Sequence, residues 1–127
     1  MRILVTDGMD AGAMEQLRKD GYEVIEQFYE PDQLGAALKD FDAVVVRSKT
    51  KVRANHIDEA KTGKLKLIIR GGVGVDNIDV KYAESCGITV KNTPRASSQS
   101  VAELAMGHMF SCARYLSIAG HTMREDK

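Results

Sequence analysis

Several residue types are scarce or absent in this sequence. It contains no tryptophan, only 6% aromatic residues, two prolines and two cysteines. The cysteines, Cys86 and Cys112, form neither a Cys-x-x-Cys pair nor the spacing of metal ligands, which excludes the common redox and zinc motifs. A chain with so few cysteines fits a reducing compartment, and we therefore expect a cytoplasmic protein.

The sequence also lacks an excess of charge and any long apolar run. Eighteen Lys and Arg balance eighteen Asp and Glu, so there is no basic field to attract nucleic acid or an anionic membrane. Apolar runs such as residues 43–46 and 65–69 fall far below the about 20 residues that span a bilayer. The apolar stretch within residues 1–10 is too short for a signal peptide. We expect no nucleic-acid partner and no membrane partner.

What the sequence does contain is a regular alternation of strand and helix patterns. With 127 residues, 43% of them hydrophobic, the chain can bury a real core. Continuous apolar runs predict that the first, third and fourth strands are central and covered on both faces, while the alternating second strand lies at an edge. The pattern predicts an α/β fold with a doubly wound parallel sheet. Short β-branched runs place its five strands at residues 2–6, 22–27, 43–47, 67–70 and 88–91.

Helical patterns separate and follow these strands. They predict helices at residues 11–19, from Pro31 onward, at 55–60 and at 80–85. The sequence Ser100-Val-Ala-Glu103 reads as a capping box that opens the longest helix, which continues to about Ile118 or beyond. Small and apolar residues along it indicate a helix–helix interface, and packing on the chain's own sheet fits equally well. We therefore divide the chain into residues 1–98 and a helical segment at residues 99–127.

Ligands of an open parallel sheet bind outside the carboxyl ends of its strands. Arg47 and Arg70 end two neighbouring strands, and their guanidinium groups can fork onto a carboxylate or phosphate there, with Lys49 as a third positive charge. The alternative is that these arginines pair with carboxylates of the chain itself. The candidates for such pairs are Asp10, Asp76 and Asp79.

A glycine cluster follows the fourth strand. The glycines at 71, 72 and 74 let the backbone approach a ligand and turn its amide hydrogens toward an oxyanion. Gly72-Val73-Gly74 superficially resembles the dinucleotide fingerprint, but Asn77 occupies its third glycine position. Lys91 and Asn92 stand where an acidic residue should hold the ribose hydroxyls. We therefore expect a site for a small anion rather than for a nucleotide phosphate.

Other catalytic arrangements fit the sequence poorly. His56, His108 and His121 have no acid partner at a suggestive spacing, so we expect structural histidines. Asp7 and Asp10 form a close carboxylate pair after the first strand, and a solvated loop explains them better than a metal site. A phosphoacceptor receiver domain has the same architecture but needs an aspartate at the end of the third strand, where this chain has Arg47.

Three motifs carry a resemblance to a known family. Arg70-Gly-Gly-Val-Gly-Val-Asp-Asn-Ile-Asp79, Gly87-Ile-Thr-Val-Lys-Asn-Thr-Pro94 and Ser100-Val-Ala-Glu-Leu-Ala105 resemble, in order and spacing, the D-isomer-specific 2-hydroxyacid dehydrogenases. Arg47-Ser-Lys-Thr-Lys-Val52 further resembles the phosphoglycerate dehydrogenase branch, in which a basic residue of that strand end reaches the substrate phosphate. The resemblance covers essentially the whole chain.

The resemblance implies a flavodoxin-like substrate-binding domain, followed by a long interdomain helix that helps to form a homodimer. It also implies that Val73 faces the nicotinamide, with only its backbone amide where relatives often carry Ser or Thr. The substrate contacts that it implies are Arg47, Arg70 and the backbone of Gly72, Val73 and Gly74, to which the charge pattern adds Lys49.

The resemblance further implies an enzyme whose chemistry lies in another domain. In the family, the NAD-binding Gly-x-Gly-x-x-Gly loop, the catalytic arginine and the Glu-His pair belong to a nucleotide-binding domain, and none maps onto this chain. The expected function is the substrate-binding portion of an NAD-dependent oxidoreductase that converts 3-phosphoglycerate to 3-phosphohydroxypyruvate. We expect the chain alone to be inactive. The alternative is a stand-alone module of the same fold that binds small anions.

Overall fold

The computed structural model describes residues 1–125. They divide into two compact units, residues 1–93 and the segment that begins at Pro94. The first unit contains five strands and four helices, which alternate along the chain. Residues 126 and 127, the end of the helical segment predicted at 99–127, lie outside the described residues.

The first unit is built on one parallel sheet with the strand order β2-β1-β3-β4-β5. This order is that of a flavodoxin-like, doubly wound sheet, so the predicted fold class is confirmed. The first, third and fourth strands lie inside the sheet and the second lies at an edge, as expected. Each predicted strand matches an observed one to within one residue. The strands are β1 (Arg2–Val5), β2 (Glu23–Glu26), β3 (Ala43–Val46), β4 (Leu67–Arg70) and β5 (Thr89–Asn92).

Apolar runs in the central strands form the core. Leu4 is paired in register with Val44, and Val44 with Ile68, so the three side chains form a row across the sheet. All three are 0% exposed because helices cover both faces. Each buried aliphatic side chain of this size stabilises the fold by about 1.5–3 kcal/mol.

Four helices connect the strands of the first unit. Asp10 begins the first helix by accepting a hydrogen bond from the Ala13 amide at 2.9 Å. Pro31 lies at the first position of the second helix, where its fixed φ is compatible with helix and its missing N–H is not needed. No helix within residues 1–125 combines the length and the apolar character needed to cross a bilayer. The four helices are α1 (Ala11–Lys19), α2 (Pro31–Leu38), α3 (Ala54–Ala60) and α4 (Val80–Ser85).

In its described part, residues 94–125, the C-terminal unit contains two helices, and the prediction of one uninterrupted helix was wrong. Helix α5 (Ser98–Ala113) ends before Arg114, and α6 (Leu116–Glu125) follows. Tyr115 adopts a left-handed conformation with φ of 52°, which terminates α5 as a C-cap residue does. The predicted capping box was also wrong, because α5 starts at Ser98, so Ser100 and Glu103 both lie inside the helix.

Candidate functional site

Because all five strands are parallel, their carboxyl ends lie along one edge of the sheet. We call the residues at this edge that end or follow β1 to β5 the rim. It consists of Asp7, Phe28, the β3 loop (residues 47–50), Arg70 with the glycine loop (residues 71–74), and the segment formed by Asn92 and Thr93. The rim brings together all six residues that the sequence indicated as substrate contacts.

Asp7, directly beyond β1, holds the β3 loop. One of its carboxylate oxygens accepts hydrogen bonds from the backbone amides of Arg47 at 2.8 Å and Thr50 at 2.9 Å. The other oxygen accepts the Thr50 hydroxyl. Burial opposes ionisation of Asp7, but these hydrogen bonds outweigh it and hold the pKa of Asp7 below its ordinary value of 3.8. Of the carboxylate pair predicted in a solvated loop, Asp10 is exposed, while Asp7 is half-buried and bonds to the β3 loop.

Asn77 holds the same loop from the glycine-loop side. Its side-chain amide donates to the carbonyl oxygens of Arg47 at 2.7 Å and Thr50 at 2.8 Å. Asn77 is only 6% exposed, so these bonds are shielded from water. The residue that breaks the dinucleotide fingerprint in the sequence thus links two rim loops in the fold.

The two cations of the β3 loop are both exposed. Within residues 1–125, the guanidinium of Arg47 forms no ion pair. The Lys49 ammonium lies 4.0 Å from the centre of the Phe28 ring, a cation–π contact that holds it over the end of β2. Both positive charges are therefore available to an anion at the rim.

Arg70 ends β4 and folds back over the glycine loop. Its Nη1 atom donates to the Gly71 carbonyl oxygen at 3.0 Å, and its Nε atom is buried without a hydrogen-bond partner among the described residues. Gly72 has a φ of 153°, and a Cβ atom there would lie 1.7 Å from Arg70 Nη1. A side chain at position 72 would therefore need a strained backbone, and the end of the Arg70 side chain would have to move.

The glycine loop presents free amides. The backbone N–H groups of Val73 and Gly74 have no hydrogen-bond partner among residues 1–125. The end of β5 fixes the loop: the Asn92 side chain donates to the Val73 carbonyl oxygen at 2.8 Å, and the Thr93 amide donates to that of Gly72 at 2.9 Å. Two fixed, unpaired amides are suited to donating hydrogen bonds to an oxyanion.

The structure decides against the alternative ion pairs of the rim arginines. Arg53, outside the rim, pairs with Asp79 at 3.4 Å and donates to the Asp76 carbonyl oxygen at 2.9 Å. Asp10 caps α1. Within residues 1–125, neither Arg47 nor Arg70 pairs with a carboxylate, so the rim keeps its positive charge.

His56, the buried histidine of α3, is structural. Its Nδ1 atom accepts a hydrogen bond from the Arg53 amide at 3.0 Å, and its Nε2 atom lies 2.7 Å from the Pro31 carbonyl oxygen, to which it donates. Both ring nitrogens are occupied, so His56 is not free to act as an acid or base. No group of three or more His, Cys, Asp or Glu within residues 1–125 has the arrangement of a metal site.

The glycine loop does not fit the pyrophosphate of a dinucleotide. In that binding mode the third fingerprint position packs a helix tightly against its strand. Here the position holds Asn77, whose buried side chain bonds to the β3 loop, and α4 begins three residues later at Val80. The rim of this chain suits a small anion, and Val73, 54% exposed, is the residue of the loop that a neighbouring group can contact.

Sequence reasoning missed Asp7 and Asn77 as parts of the site. The sequence indicated Asp7 only as one of a carboxylate pair in a solvated loop, and Asn77 only as a mismatch to a motif. The available signal was the position of Asp7 directly after a buried strand, since a polar residue there faces the loops of the neighbouring strands.

The sequence was compared with known families and proteins. The family described as "D-isomer specific 2-hydroxyacid dehydrogenase, catalytic domain" matches residues 3–125. A hydroxypyruvate reductase of Thermotoga maritima is 46% identical over an alignment 127 residues long, which covers 99% of this chain and 41% of that protein. A D-3-phosphoglycerate dehydrogenase of Methanocaldococcus jannaschii is 44% identical over 124 residues, covering 98% of this chain and 23% of that protein.

A solved structure shows the same fold. The NAD⁺-bound 3-phosphoglycerate dehydrogenase of Entamoeba histolytica superimposes with a TM-score of 0.71 at 35% identity, over 87% of this chain and 38% of that one. The chain thus spans less than half the length of each of these relatives.

Proposed function

The chain belongs to the D-isomer specific 2-hydroxyacid dehydrogenase family, and we propose that it is the substrate-binding part of an enzyme that interconverts a 2-hydroxy acid and its 2-oxo acid with a nicotinamide cofactor. The observation that carries the proposal is the rim. It combines two unpaired amides at Val73 and Gly74 with the exposed cations Arg47 and Lys49. A 2-oxo acid with a second anionic group has the charges that match this pairing.

In this proposal the substrate carboxylate binds the amides of the glycine loop. A phosphate at the other end of the substrate binds Arg47 and Lys49, and Arg70 adds positive charge beside Gly72. This assignment favours 3-phosphoglycerate, whose oxidation to 3-phosphohydroxypyruvate leads toward serine. Two relatives named as phosphoglycerate dehydrogenases support it, while the Thermotoga relative is named for the unphosphorylated hydroxypyruvate.

The cofactor in this proposal is NAD, as in the Entamoeba relative. When bound, it supplies the hydride acceptor or donor. The residues of this chain bind and orient the substrate, and the exposed Val73 contacts the nicotinamide side. Because the rim offers no dinucleotide cradle, we expect the 127-residue chain to be inactive by itself. The cytoplasm, expected from the cysteine content, is the proposed location.

Self-association through α5 is part of the same proposal. Large apolar side chains of this helix are exposed: Val101, Leu104, Met106, Met109 and Phe110. A second copy of the chain would remove this surface from water and form a homodimer.

The direct test measures NADH-dependent reduction by the protein as its own gene encodes it. We expect kcat/KM for 3-phosphohydroxypyruvate to exceed that for hydroxypyruvate by at least about tenfold, because two cations contact the phosphate. Arg47→Ala should remove most of this preference, whereas Lys19→Ala, at the exposed end of α1, should keep it. A preference for hydroxypyruvate would contradict the phosphate assignment, and reduction of no 2-oxo acid would contradict the enzymatic function.

Intact mass spectrometry of the natural gene product is the first measurement to make. A mass well above 13.9 kDa supports the two-domain enzyme, whereas a product of 13.9 kDa supports the stand-alone anion-binding module.

A further inference from the structure

The β3 loop is held at both ends by two side chains of opposite polarity. Asp7 accepts the backbone N–H groups of Arg47 and Thr50, and Asn77 donates to the carbonyl oxygens of the same two residues. All four hydrogen bonds measure between 2.7 and 2.9 Å. Ser48 and Lys49 remain as the exposed tip between the fixed ends.

The two side chains reach the loop from other elements. Asp7 lies 40 residues before Arg47 in the sequence, and Asn77 lies 30 residues after it. The sheet itself ends at Val46, so its ladder does not fix the loop. The shape of the loop therefore depends on these side-chain bonds and on the Thr50 hydroxyl, which Asp7 also accepts.

Asn77 additionally couples the two anion-binding loops of the rim. It belongs to the connection that contains the glycine loop, and its backbone carbonyl accepts the Val52 amide at 2.8 Å. Val52 and Ile78 form a parallel bridge beside it. Asn77 thus joins the connection that contains the glycine loop to the β3 loop and to Val52.

We propose that Asp7 and Asn77 are positioning residues that set the spacing between the carboxylate-binding glycine loop and the phosphate-binding β3 loop. They act through the loop backbone and do not contact the substrate. The spacing selects 2-oxo acids with a second anionic group at the matching distance. This inference rests on the proposed function, and it adds to it the residues that determine the preference for a phosphorylated substrate.

The test compares variants of the protein as its own gene encodes it. In Asp7→Asn we expect the KM for 3-phosphohydroxypyruvate to rise about tenfold, because charge-assisted bonds to the loop are lost. The KM for hydroxypyruvate, the KM for NADH and kcat should stay within about twofold, since only binding of the phosphate is weakened. Asn77→Ser, which shortens the side chain, should likewise reduce the ratio of kcat/KM between the two acids.

Matched variants separate positioning from general damage. Thr50→Val removes the hydroxyl that Asp7 accepts and should act like Asp7→Asn, while Thr50→Ser keeps it and should restore the KM. Asp58→Asn is the control. Asp58 also accepts side-chain hydrogen bonds, from a tyrosine hydroxyl and a lysine ammonium, but it lies on α3, outside the rim, so both KM values should stay unchanged. Two results would overturn the positioning role. One is an equal rise in KM for 3-phosphohydroxypyruvate and hydroxypyruvate in the variants, and the other is an unchanged KM for 3-phosphohydroxypyruvate in Asp7→Asn.

Amide hydrogen exchange tests the loop independently of activity. The amides of Arg47 and Thr50 should exchange at least about tenfold faster in Asp7→Asn than in the wild type. Unchanged exchange overturns the inference even if the enzyme is active. If the wild type reduces neither acid, the proposed function is overturned instead. Faster exchange of the Arg47 and Thr50 amides in Asp7→Asn would then still support the role of Asp7 in holding the loop.

Discussion

At the scale of single residues, Asp7 shows how a carboxylate can serve a site without meeting the ligand. It accepts hydrogen bonds from the backbone amides of Arg47 and Thr50 and from the Thr50 hydroxyl, and within residues 1–125 it forms no ion pair with the cations of the β3 loop. The guanidinium and the ammonium consequently stay free for an external anion. A carboxylate that had paired with Arg47 would have cancelled half of the charge of the β3 loop.

The lowered pKa of Asp7 predicts a specific dependence of stability on pH. Its folded pKa lies below the unfolded value of about 3.8, so ionised Asp7 stabilises the fold above that pH. This contribution is lost as the pH falls from about 4 through the folded pKa. Urea unfolding between pH 2.5 and 7 should therefore show Asp7→Asn to be less stable than the wild type at neutral pH, with the difference shrinking below about pH 4. Parallel stability curves at all pH values would contradict this role.

At the scale of elements, the backbone at the C-terminal end of α2 lies close to the backbone that follows the C-terminal end of α3. A Cβ atom at Gly63, just after α3, would lie 2.6 Å from the Cα atom and carbonyl oxygen of Lys39, at the end of α2. The Lys64 amide donates to that same carbonyl oxygen at 3.1 Å. The close approach of two backbones, rather than an unusual backbone angle, is the reason for a glycine at this position.

Gly63→Ala should destabilise the first unit by about 1–3 kcal/mol, because the added methyl forces two backbones apart. Gly107→Ala is the matched change. Gly107 lies within α5, and a Cβ atom there meets nothing within 4 Å, so alanine should stabilise the helix by about 0.5–1 kcal/mol. Urea unfolding followed by circular dichroism measures both, and an unchanged midpoint for Gly63→Ala would show that the contact relaxes without cost.

The break between α5 and α6 also belongs to this scale. Sequence patterns predict where a helix begins and ends when a glycine, proline or capping side chain marks the place. Arg114 and Tyr115 are none of these residue types. Tyr115 adopts a left-handed conformation, which glycine adopts more readily than residues with a side chain. The helical character of the segment was therefore predictable, and its division was not.

At the scale of the whole molecule, the C-terminal unit buries none of its helical residues among those described. Val101 and Leu104 are both more than 60% exposed and lie one helical turn apart. A surface of this kind is typical of a protein–protein interface. It is the structural basis for the proposed homodimer.

Sedimentation equilibrium should show association of the protein that increases with concentration. Leu104→Lys should weaken it, since a charge placed in an apolar interface loses its hydration. Lys19→Ala, which changes an exposed cation on α1, should leave the association unchanged. A monomer at the highest concentrations for the wild type would contradict the proposed interface.

The sequence by itself determined the type, order and approximate bounds of the elements in the first unit. The patterns that predict strands and helices involve residues close together in the sequence. A run as short as Val44-Val45-Val46 predicts both a strand and its burial on two faces. The apolar patterns also placed the first, third and fourth strands inside the sheet and the second at an edge. Because parallel strands end at the same edge of a sheet, Arg47, Arg70 and the glycines, which end or follow strands, were expected at one edge.

Only the tertiary structure decided which charged side chains pair with other groups of the chain and which remain available to a ligand. Arg53 rather than Arg47 pairs with Asp79, and Asp7 and Asn77 converge on the β3 loop from 40 and 30 residues away. Hydrogen bonds between residues so distant in the chain leave no periodic or local pattern, because their geometry exists only after the sheet has formed. The charge of the rim and its spacing are therefore properties of the assembled fold.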